Sequence, residues 1–155
     1  MKLIYTALVA TVFAAPVFAG SHSAGDIAAG EKNFRKCKAC HAIVDDAGEV
    51  IQKGGKTGPN LYNVVGRQAG SAEGFKYGKS LLEAGENGLI WDEATLAAYM
   101  TNPVDFLRET LDDSKAKSKM SFKLRKGGED VAAYLASVSP AAVEDMGEEE
   151  APATE

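Results

Sequence analysis

The five residues Cys37-Lys38-Ala39-Cys40-His41 use both cysteines of the chain and one of its two histidines. Two thiols three positions apart at a helix end can each bond one vinyl group of a haem, and the adjacent imidazole reaches the iron from the same side. Other uses of these atoms fit less well. A dithiol redox pair would sit at a helix start after a strand, whereas the twelve residues before Cys37 read as helix. A zinc site needs four donors and would have to recruit His22, beside the expected cleavage point. A structural disulfide across so short a span leaves His41 without a role.

An iron held by His41 has a sixth position to fill. The candidates are His22, Met100, Met120, Met146 and lysines. Met100 follows Leu96 at helical spacing and reads as core. Met120, flanked by Lys119 and Ser121 in non-helical chain, lies 79 residues after His41, where a loop can return across the opposite haem face. Met120 is therefore the expected ligand. A neutral imidazole and a thioether favour ferrous iron, and burial penalises the extra charge of the ferric state. With all six positions filled no open site is left for substrate, so the expectation is electron transfer and no enzyme activity.

Outward from the motif, the chain reads as mostly α with long connections. A first helix is expected from Asp26 through Ile27, Gly30, Phe34 and Cys37. Gly30 is either a tolerated glycine or a point of close helix approach. Val44 to Thr57 reads as loop. A short helix is expected around Ser80 to Ala84, then one capped by Asp92 and ended by Asn102-Pro103, which also start the next with Asp105 at its third position. A last helix is expected from Gly128 to Val138, closed by Pro140. No run alternates cleanly enough to predict more than a little sheet. So many glycine-rich loops leave few large side chains for a core, which a bulky planar cofactor would repair.

The ends of the chain set the compartment. Lys2, the apolar stretch Leu3 to Phe13 and small residues at Val17 and Ala19 predict a signal peptide at 1–19. Pro16 and the shortness of the run argue against a retained membrane anchor. From Ser21 to Val143 there are sixteen basic and sixteen acidic side chains, so residues 20–143 form a neutral domain. The net charge of −5 is that of six acids in the tail at 144–155 offset by Lys2; Glu144, Asp145, Glu148, Glu149, Glu150 and Glu155 cannot bury apolar area and predict disorder.

From about residue 25 to 138 the chain resembles the class I cytochromes c, and among them the large bacterial cytochrome c2 and c-550 type. The resemblance rests on Gly30 and Phe34, Cys37 to His41, Thr57-Gly58-Pro59-Asn60-Leu61, Gly66-Arg67, Phe75-Lys76-Tyr77, Trp91, Tyr99, Asn102-Pro103, Lys119-Met120-Ser121-Phe122 and Val131 with Tyr134-Leu135, all in the family's order. Extra residues before Thr57 and between Pro103 and Lys119 point to the large bacterial subtype. The resemblance implies the class I cytochrome c fold, helices and long loops wrapped around one haem c attached through Cys37 and Cys40. It implies that Gly30 and Phe34 pack the first helix on Val131 and Tyr134, and that the Pro59 carbonyl accepts the proton on the distal nitrogen of His41. It also implies that Tyr99 lies near the Met120 sulfur, and that Arg67, Tyr77 and Trp91 bond or neutralise a buried haem propionate.

Lys115, Lys117, Lys119, Lys123, Arg125 and Lys126 fall within twelve residues that contain no acid, and Lys36 and Lys38 neighbour the attachment cysteines. If the haem edge opens between these segments, positive charge rings it and steers encounter with an acidic docking face. The expected partners are a cytochrome bc1 complex as donor and cytochrome c oxidase or a photosynthetic reaction centre as acceptor. Secretion and a neutral domain argue against nucleic acid. The whole reading is of a monomeric electron carrier of the periplasm.

Overall fold

The computed structural model describes residues 25–139. The signal peptide expected at 1–19, His22, Pro140, Met146 and the acidic tail expected at 144–155 lie outside the described residues.

Helix α1, Ile27–Phe34, starts at Asp26, whose side chain accepts the Ala29 amide at 3.0 Å. The Asp26 amide in turn donates to Asp130 Oδ1 at 3.0 Å, which ties this start to the last helix. Phe34 is fully buried, and its ring meets Tyr134 with centroids 5.7 Å apart. Gly30 is a point of close approach. A Cβ there would lie 1.9 Å from the Asp130 carbonyl oxygen and 2.7 Å from the Tyr134 Cβ. The α-helix expected to run through Cys37 stops at Phe34. Beyond it the chain tightens into three-residue turns, Lys36 N–H to Asn33 O at 3.0 Å and Cys37 N–H to Phe34 O at 2.8 Å, which carry it into the cysteine motif.

The segment read as loop from Val44 to Thr57 contains part of a small antiparallel hairpin, β1 Ile43–Val44 with β2 Val50–Gln52, paired Ile43 to Gln52 and Val44 to Val50. Strands of two and three residues are too short to show alternation. The Asp45 side chain closes the turn by accepting the Glu49 amide at 2.7 Å.

Three helices follow: α2 Lys79–Glu86, α3 Glu93–Thr101 and α4 Pro103–Leu111. Asp92 and Thr95 cap α3 reciprocally, the Asp92 side chain accepting the Thr95 amide at 2.7 Å and Thr95 Oγ1 accepting the Asp92 amide at 3.0 Å. Asn102 ends α3 and Pro103 opens α4, with Asp105 at its third position accepting from the Asn102 side chain. Irregular chain leads to α5, Gly128–Ser137, whose Val131, Tyr134 and Leu135 are buried against α1 and α3. Trp91, Tyr99 and Phe106 form an aromatic cluster between α3 and α4, with centroids 5.1 to 6.0 Å apart. No helix among the described residues is long and apolar enough to cross a membrane.

Candidate haem site

Between α3, α5 and the irregular segments lies an apolar-walled cavity of about 320 Å³. Cys37, Cys40, His41, Pro59, Arg67, Tyr77, Trp91, Tyr99 and Met120 all line it, together with Met100, Leu96, Val131 and Leu135. The fold therefore brings to one space side chains spread over more than eighty positions of sequence.

His41 is half-buried, and its Nδ1 lies 2.9 Å from the Pro59 carbonyl oxygen. A carbonyl only accepts, so Nδ1 carries the proton and Nε2 keeps its lone pair. Burial lowers the imidazole pKa, opposed by the bond to Pro59, so the ring is the neutral donor that a metal requires. Glycines pack tightly round this corner. A Cβ at Gly58 would lie 2.3 Å from His41 Cε1, and one at Gly54 would lie 1.7 Å from the His41 carbonyl oxygen.

Both cysteines are free, Cys37 half-buried and Cys40 exposed. Burial pushes the Cys37 thiol up to about 11, against the pull of Lys36 and with a further rise from Cys40. A redox dithiol works through a depressed thiol pKa, so this environment is opposite to what that chemistry needs. Among the described residues no group of three or more His, Cys, Asp or Glu side chains could hold a metal ion. Thiols at an apolar cavity beside a neutral imidazole fit thioether attachment of a haem.

Met120, which also lines the cavity, sits on the irregular segment after α4. Ser118 anchors this segment: its Oγ accepts the Met120 amide at 3.1 Å and lies 3.1 Å from the Tyr99 hydroxyl. The Leu124 amide donates to the Met100 carbonyl at 2.7 Å, which holds the segment beyond Met120 to α3. Met100 is buried on α3 and also lines the cavity.

Arg67 is half-buried and donates to the Tyr62 and Asn60 carbonyls at 3.2 and 3.1 Å. Its backbone carbonyl accepts the Trp91 amide at 2.9 Å, and the Trp91 carbonyl accepts the Gly66 amide at 2.7 Å, so loop and tryptophan are fixed together. Burial raises the Tyr77 phenol pKa, offset by the Arg67 guanidinium. A guanidinium with unused donors beside a phenol suits a cofactor carboxylate.

Ser118 and the separate roles of Gly54 and Gly58 carry no signal in the sequence. A serine two positions before Met120 carries no motif, and a loop glycine looks the same whether it supplies freedom or space.

No family model matches the chain. It is 68% identical over 111 residues to cytochrome c-551 of Roseobacter denitrificans, covering 72% of this chain and 79% of the relative. It is 55% identical over 128 residues to cytochrome c-550 of Paracoccus pantotrophus, covering 81% and 92%. The chain belongs to the bacterial cytochrome c2 and c-550 family. The structure agrees: it superposes on that of cytochrome c2 from Rhodobacter capsulatus with a TM-score of 0.73 at 59% identity, covering 74% of this chain and 98% of the other. As a member of the cytochrome c2 and c-550 family, the protein is a periplasmic one-electron carrier with a single c-type haem, and not an enzyme. Its partner classes are the bc1 complex on one side and an oxidase or reaction centre on the other.

Proposed function

We propose that His41 and Met120 would hold the haem iron, that Cys37 and Cys40 would carry the thioethers, and that Arg67, Tyr77 and Trp91 would serve the haem carboxylates. The observation that carries this is the His41 to Pro59 contact in a cavity also lined by Met120: it fixes the tautomer and leaves Nε2 as the donor. The haem supplies reversible one-electron exchange when bound. Leu96, Val131 and Leu135 exclude water and disfavour extra positive charge. Pro59 orients the imidazole, and Ser118 and Tyr99 hold the methionine segment in place.

The docking face, in this reading, is made by Lys36, Lys38, Lys115, Lys117, Lys119, Lys123 and Lys126. Lys36, Lys117 and Lys119 line the cavity, and all seven except the half-buried Lys38 are exposed. Lys119 is held in place, its Nζ donating to the Lys76 carbonyl at 2.7 Å. Such a face attracts the acidic surface of a membrane redox complex before contact. The test is the rate of reduction of an isolated oxidase as a function of ionic strength. A rate that falls steadily from about 20 to 300 mM salt supports steering, and a flat or rising response overturns it. The leader at 1–19 and the acidic tail at 144–155 complete the proposed organisation, with cleavage after Ala19.

A further inference from the structure

We propose that the acidic segment from Glu144 to Glu150 is a tethered competitor for the lysine face, occupying it when no redox partner is bound. The inference rests on the docking reading above and adds an occupant from the same chain.

Charge distribution is the first support. The stretch from Ser21 to Val143 is balanced, so the acids in excess all lie in 144–155, five of them between Glu144 and Glu150. Lys36, Lys117 and Lys119 stand at the cavity, and among the described residues the one salt bridge, Arg108 to Asp105, involves none of them. Lys36 and Lys119 are held by neutral acceptors, the Asn33 side chain at 3.2 Å and the Lys76 carbonyl at 2.7 Å. These contacts order the ammonium groups without cancelling their charge.

Reach is the second. Ser139 is buried and anchored, its Oγ donating to the Leu135 carbonyl at 2.7 Å and accepting the Val65 amide at 3.3 Å. Leu135, four residues before Ser139, lines the cavity. From Ser139 to Glu148 and Glu150 the chain can reach at most about 30 to 36 Å, while a domain of this size has a radius of gyration of about 13 Å. The acids therefore reach the lysine face. Exposed ion pairs are individually weak and screened by salt, but tethering sets an effective concentration of about millimolar. The contact is thus strong enough to be populated at low salt and weak enough for a partner to displace.

The experiment uses the full-length haem protein and a variant with E144Q, D145N, E148Q, E149Q, E150Q and E155Q. Zero-length carbodiimide cross-linking, mapped by mass spectrometry, reports where the acids lie. The expected result is cross-links from this segment to Lys36, Lys117 or Lys119 at least about threefold over those to Lys32 and Lys53, lost near 0.5 M salt. Cross-links scattered evenly over all lysines, or absent, overturn the proposal. In parallel, electron transfer to an isolated oxidase is expected to be at least about threefold faster for the neutralised variant at low salt, converging at high salt. Equal rates throughout, with both falling as salt rises, overturn the competitor while leaving the docking face intact. Rates insensitive to salt in both proteins overturn the docking face, and with it the competitor.

Discussion

The Cα of Gly58 packs against the imidazole of His41, so close that a methyl group there would stand 2.3 Å from Cε1, 2.6 Å from Nδ1 and 2.7 Å from Nε2. The ring is thus clamped between a bare Cα and the bond to Pro59. Gly58→Ala should force ring or loop to move, at a cost of about 2 kcal/mol. Guanidinium denaturation of the haem protein should show the midpoint falling, with a shift in reduction potential as the Pro59 bond lengthens. An unchanged midpoint would mean that the ring has room the geometry denies.

Gly30 makes the same argument for the fold. Its hypothetical Cβ meets main chain, the Asp130 carbonyl, rather than a flexible side-chain end. Gly30→Ala should separate α1 from α5 and cost about 3 kcal/mol. Gly48→Ala, where φ is +84° and space is open, should cost only about 1 kcal/mol from backbone strain. Equal losses for the two variants would argue against close packing as the reason for Gly30.

Ser118 links Tyr99 to the Met120 segment. Ser118→Ala deprives the Met120 amide and the Tyr99 hydroxyl of a partner at once, at a cost of about 1 to 2 kcal/mol. Tyr99→Phe removes only the second bond. The weak far-red absorption of ferric haem bound by methionine should therefore bleach at lower temperature in Ser118→Ala than in Tyr99→Phe. The reverse order would place the restraint on Tyr99 instead.

The haem itself is part of the core. Without a haem, Leu96, Val131 and Leu135 on the wall of the cavity of about 320 Å³ lose their apolar partner and face water. The double variant Cys37→Ala, Cys40→Ala, freed of haem, should lose more than about half of its helical circular dichroism at 25 °C. Retention of the full signal would show a core that stands without the cofactor.

Much of this was legible because local chemistry declares itself. Asp92 before an apolar run, Asn102-Pro103 between two helices and Cys37 to His41 each carry their function in adjacent residues. The hairpin Ile43 to Gln52 was not legible, since its strands are too short for a period and its partners are set by packing. Likewise the α-helix ended at Phe34 rather than Cys37, because the motif's own turns take over the hydrogen bonding. The site residues share one cavity although no spacing rule joins Arg67 to Met120. Only the order of motifs suggested it. Gly54 and Gly58 stayed hidden, because the space they leave belongs to a ring and a carbonyl contributed by the motif.

We propose that His41 and Met120 hold the haem iron and that Met100 belongs to the core. The most direct measurement is the ferric optical spectrum of Met120→Ala beside Met100→Leu. The far-red methionine band should vanish in Met120→Ala, with a lowered reduction potential, and persist in Met100→Leu. Loss of the band on replacing Met100, with Met120→Ala unaltered, would contradict the account.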